Sequence, residues 1–112
     1  MRRYCLTLDL KDDPNAIAEY KRYHVAIWPE IRQSLFDSGV IAMEIYLLGT
    51  RMFMIMDVGE SFSLSAKQAA DQANAKVREW ESLMQTFQQQ LPGAPRDQWW
   101  TVMEKVFSLD EQ

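Results

Sequence analysis

The stretch EYKRYHVAIWPEI, residues 19 to 31, carries the one histidine of the sequence. His24 has Tyr20 four residues before it and Trp28 four residues after. That spacing stacks the three side chains along one side of a helix. An imidazole whose ordinary pKa is about 6.5 exists in both protonation states near neutrality, which is what moving a proton to and from a substrate requires. Tyr20 adds a hydroxyl and Trp28 an indole donor. Pro29 has no N–H for the carbonyl of Val25, and its ring disfavours helical angles at Trp28. The helix is therefore expected to kink or restart just after His24. Two readings of His24 fit these residues equally: a packed core histidine whose nitrogens are met by backbone groups, or an acid/base in a cavity.

Other chemistry is thinly represented. One histidine and one distant cysteine make no metal-ligand constellation, so no metal is expected. No Walker loop, GxGxxG, GxSxG or CxxC occurs. Cys5 lies in a strand-like stretch with no local activator, where a thiol usually packs. Trp80 reads as ordinary core or as a flat platform for the C–H face of a sugar. Its neighbour Glu81 reads as part of a solvated helix face. Glu44 sits in a mostly apolar strand with parity opposite to Met43, so the two cannot line the same side of a sheet.

The elements that must position these groups follow from periodicity. YCLTLDL, residues 4 to 10, alternates apolar and polar and reads as a strand. Asp13 is placed to cap a helix with Pro14 at its first position. Ile17, Tyr20, His24, Ile27, Trp28, Ile31 and Leu35 recur at spacings of three and four. Gly39 ends that helical stretch. VIAMEIYLL (40 to 48) and RMFMIMDV (51 to 58) form a hairpin through Gly49-Thr50. Residues 62 to 90 are helical, with Asn74 capping the second half. LPGAPRDQ is a loop, and WTVMEKVFSL (100 to 109) is a last strand.

Strand, helix, strand, strand, helix, strand is the split βαβ order of ferredoxin-like folds, with an antiparallel sheet and two helices on one face. Both faces of the hairpin are apolar, so the uncovered face predicts a homodimer built sheet against sheet. A chain of 112 residues with 47% apolar residues fits one domain spanning 1–112 with its own core. The net charge of −4 argues against nucleic acid as a partner. No apolar run approaches a membrane span, and the start, MRRYCLTLDLKDD, lacks the apolar core of a signal peptide. With a lone cysteine, this makes the cytoplasm the expected location.

EYKRYHVAIWPEI resembles the signature of the L-rhamnose mutarotase family, with Tyr, three residues, His, three residues, then Trp-Pro-Glu. SGVIAMEIYL, REWESLM and VMEKVFSL resemble that family's later segments more loosely. The resemblance implies a dimeric α+β barrel. It also implies a cofactor-free enzyme that interconverts the α and β anomers of a 6-deoxy-L-sugar, L-rhamnose or L-fucose. It makes His24 the catalytic proton donor and Tyr20 a sugar-binding residue. The family's strand tyrosine falls at Met43 and its adjacent tryptophan pair at Trp80 and Glu81. With Trp28, these complete the expected substrate-binding set. The departures at Met43 and Glu81 bear on which sugar is bound. The contrasting expectation is a non-catalytic ferredoxin-like module that binds a small metabolite.

Overall fold

A computed structural model describes residues 2–112. Strand β1 (Arg2–Leu10) buries Leu6, Leu8 and Leu10 and turns Cys5, Thr7 and Asp9 to the other side, as a period of two requires. Helix α1 (Pro14–Val25) opens with the Asp13 carboxylate accepting from the Asn15 N–H and with Pro14 in the first turn. It stops at Val25. Ala26 is extended (φ −146°, ψ 97°), and so is Trp28 (φ −60°, ψ 138°), the conformation a following proline imposes. Pro29 then starts α2 (Pro29–Asp37). The break expected after His24 is thus a complete one.

Gly39 leaves α2 with φ +97°, the left-handed backbone that its missing Cβ permits. Strands β2 (Val40–Leu48) and β3 (Arg51–Val58) form the hairpin, turning at Gly49-Thr50. The second helical stretch is also divided. Helix α3 (Leu64–Ala73) ends at Asn74, whose side chain accepts from the Lys76 and Val77 N–H groups and so caps α4 (Ala75–Gln85). The helix expected to run to residue 90 ends at Gln85, and Gln88–Gln89 form a short strand β4.

The expected strand 100 to 109 is also corrected. Only Thr101–Val102 pair as β5, followed by one further bond from the Met103 N–H to the Cys5 carbonyl. Val102 pairs with Leu6, and beyond Cys5 the β1 edge from Arg2 to Tyr4 takes no pair from this segment. Val106, Phe107 and Leu109 stay exposed.

The sheet order is β2-β3-β1-β4, with β5 also pairing β1, and every pairing is antiparallel. β3 lies between β1 and β2, the split βαβ arrangement expected from the element order. One face carries the core. Leu8, Leu10, Met52, Tyr20, Ile31, Val77, Trp80 and Met84 pack as one cluster, and Leu6, Val40, Met54, Met56, Val58 and Phe62 as a second. Each such side chain contributes about 1.5–3 kcal/mol when fully buried. The opposite face holds Phe53, Ile55, Tyr46 and Glu44 without a cover from this chain. Among the described residues no helix is long and apolar enough to cross a membrane.

Candidate functional site

His24 lies at the end of α1, where the helix gives way to extended backbone. Its Nδ1 sits 2.8 Å from the Tyr20 carbonyl one turn earlier. A carbonyl only accepts, so Nδ1 carries the proton and Nε2 is left with a lone pair in the neutral ring. Nε2 makes no hydrogen bond to the described residues, yet no buried side-chain nitrogen or oxygen among them lacks a partner. Nε2 therefore opens onto free space rather than into packing. Burial holds the imidazole below its ordinary pKa, and the bond to the Tyr20 carbonyl offsets this in part. At neutral pH the ring is a base poised to take a proton.

The space beside it is a cavity of about 810 Å³ lined by Tyr20, His24, Met43, Trp80 and Glu81. A second, more apolar cavity of about 770 Å³ shares Tyr20, His24, Ile27, Leu35, Met43 and Ile45 with it. Tyr20 stacks on His24 with centroids 4.3 Å apart and planes 29° apart. Its hydroxyl lies 3.4 Å from the side-chain amide of Gln88, which is itself buried. Burial pushes the phenol up to about 12, with Gln88 opposing the shift. Tyr20 accordingly keeps its proton at any working pH and donates rather than abstracts.

Trp80 meets His24 edge to face, with centroids 5.5 Å apart and planes at 64°. Trp28 lines neither cavity; it stands behind Trp80, with centroids 5.1 Å apart and planes at 70°. Met43 takes the helix-facing side of β2, while Glu44 points to the uncovered face. The Glu81 side chain reaches solvent at its edge. Partial burial nonetheless raises its carboxyl above the usual range, Asp71 adds to the shift and Lys67 opposes it.

Sequence reasoning missed part of this wall. Trp99 and Trp100 line the larger cavity, carried there by the loop after β4. The Gln90 side-chain amide donates to the carbonyls of Pro95, Arg96 and Gln98 at 2.7–3.2 Å and ties that loop into shape. Nothing periodic in LPGAPRDQWW announces this. Lys67 and Asp71, an (i, i+4) pair resembling any solvated helix face, also line the cavity. Gln88 carried no signal. Among the described residues no three His, Cys, Asp or Glu side chains are grouped to hold a metal ion.

The arrangement can exchange a proton at Nε2, donate a hydrogen bond from a neutral phenol, and stack a flat apolar ring face on indole. Residues 3–109 match the family described as L-rhamnose mutarotase. The chain is 40% identical to an L-fucose mutarotase of Xanthomonas campestris pv. campestris, over 99% of this chain and 90% of that protein. Among solved structures it resembles an L-rhamnose mutarotase from Formosa agariphila, with a TM-score of 0.71 at 23% identity. That match covers 97% of this chain and 99% of the other. It also resembles a dimeric ferredoxin-like protein from an uncultured marine organism, with a TM-score of 0.54 at 13% identity, covering 95% and 90%. The two structural likenesses bear on the fold.

Proposed function

Since this chain belongs to the L-rhamnose mutarotase family, we propose that it interconverts the α and β pyranose anomers of a 6-deoxy-L-hexose, L-rhamnose or L-fucose. The observation that carries the reading is the placement of His24, with Nδ1 fixed by the Tyr20 carbonyl and Nε2 facing a cavity large enough for a monosaccharide.

Neutral Nε2 takes the proton of the anomeric hydroxyl. The C1–O5 bond breaks with its electron pair passing to O5, C1 becomes an aldehyde, and O5 receives a proton. The open chain turns about C1–C2 and recloses on the other face by the reverse transfers. Imidazolium returns the proton that the neutral ring took, so His24 is acid in one direction and base in the other. The proton at O5 comes from solvent water. Tyr20 holds a sugar oxygen through its unionised hydroxyl, Trp80 meets a C–H face, and Met43 adds apolar contact for the deoxy methyl end. The reading includes a homodimer and a cytoplasmic setting. The homodimer rests on the uncovered sheet face.

Anomer exchange measured by saturation-transfer NMR on L-rhamnose and L-fucose tests this. His24→Ala is expected to lose about 10²–10⁴-fold of the acceleration with its circular dichroism intact. A wild-type chain that leaves the exchange rate of both sugars at its spontaneous value ends the enzyme reading.

A further inference from the structure

One wall of the larger cavity carries an ion pair. Lys67 and Asp71 stand one turn apart on α3, with Nζ donating to Oδ2 over 2.6 Å. Their side chains retain 20% and 15% exposure, whereas the helix-surface pairs Arg22–Glu19 and Lys76–Glu79 retain 46% or more. A solvated (i, i+4) pair adds little to stability and suits any outer helix face; this one faces the space shared with His24, Tyr20 and Trp80. The Asp71 Oδ1 and the remaining ammonium hydrogens have no hydrogen-bond partner among the described residues. An acceptor and a donor thus stand side by side, open to the cavity.

Resting on the mutarotase reading above, we propose that Lys67 and Asp71 bind the hydroxyls at C3 and C4 of the sugar and select its configuration at C4. Neighbouring pyranose hydroxyls lie about one hydrogen-bond length apart, and each both donates and accepts, so they match a paired ammonium and carboxylate. Ring geometry decides which hydroxyls these are. His24 must reach O1, beside the C1–O5 bond, and the bond opposite C1–O5 in a six-membered ring is C3–C4. His24 comes from the end of α1, whereas Lys67 and Asp71 come from α3, and both elements line the same cavity. A ring spanning the cavity turns its C3–C4 edge to α3. Moving the C4 hydroxyl between axial and equatorial breaks its contact and leaves a partly buried charge unmatched.

Three sugars separate the positions. L-fucose and 6-deoxy-L-glucose differ only at C4; L-rhamnose and 6-deoxy-L-glucose differ only at C2. Exchange kcat/KM for wild type is expected to favour one C4 configuration by about 10–100-fold. Asp71→Asn and Lys67→Met are each expected to shrink that preference to within about threefold, leaving the C2 ratio unchanged. If a variant fails to fold, the wild-type chain with the 4-deoxy analogue of its better substrate should lose the same factor. Equal slowing of all three sugars, a shift in the C2 ratio alone, or no C4 preference in wild type overturns the assignment while leaving the mutarotase reading in place. No acceleration with any of the three sugars overturns both.

Discussion

His24 titrates in two linked ways, because burial disfavours its charged form. The unfolded chain binds a proton at about pH 6.5 and the folded chain only at lower pH. Its contribution to stability is therefore present above about pH 6.5 and is lost as pH falls through the folded-state value. On the proposed mechanism the neutral ring is the working form, so the acid limb of kcat/KM should fall with a midpoint below 6.5, and His24→Ala should remove it; a midpoint above 6.5 contradicts the assignment. Tyr20, at about 12, should add no basic limb below pH 10. Tyr20→Phe removes the oxygen that the buried Gln88 amide contacts and should cost about 1–2 kcal/mol in urea melts, because a buried donor loses its partner. Adding Gln88→Met should recover much of that stability and none of the kcat/KM. A double variant that regains activity would show that the phenol only fills space.

Elements whose boundaries are set locally were legible from the residues. Pro29 dictates extended backbone at Trp28, and Asn74 supplies an oxygen for two orphan N–H groups, so both helix breaks follow from chemistry within four residues. What the sequence concealed is non-local. The apolar alternation of residues 100 to 109 satisfies the strand pattern, but pairing needs a partner edge that the alternation does not specify, and only Thr101–Val102 take one on β1. Trp99 and Trp100 reach the cavity at the end of a loop whose carbonyls the Gln90 amide ties together. The helix period grouped Trp28 with Tyr20 and His24, and the break at Ala26 then rotated it behind Trp80. That position separates a supporting ring from a contacting one. Trp28→Phe keeps an aromatic behind Trp80 and is expected to leave KM within about twofold while lowering stability by about 1–2 kcal/mol. Trp80→Phe, on the cavity wall, should raise KM about 5–20-fold. If the two substitutions exchange these effects, Trp28 touches the sugar.

On the scale of the whole molecule, the unresolved demand is the second sheet face. Register sets Tyr46 beside Phe53 beside Thr7, and Glu44 beside Ile55 beside Cys5, giving a largely apolar centre. Two cross-strand ion pairs flank it, Arg3–Asp57 and Arg51–Asp9, whose arginines are more than half exposed while their aspartates are nearly buried. An apolar centre within a charged rim is the anatomy of a protein interface. In the proposed homodimer a second copy of the chain would supply a matching face through a two-fold axis. Sedimentation of the 13.1 kDa chain at micromolar concentration should therefore give twice that mass. Ile55→Lys sets a charge in the centre and should weaken association by at least about 100-fold with helical circular dichroism retained. Arg3→Ala touches only the rim and should weaken it by less than about fivefold. The contrast between the two variants matters more than either alone, because non-specific association through exposed Val106 and Phe107 would respond to neither. A wild-type chain that sediments at 13.1 kDa across that concentration range leaves the sheet face to some other cover.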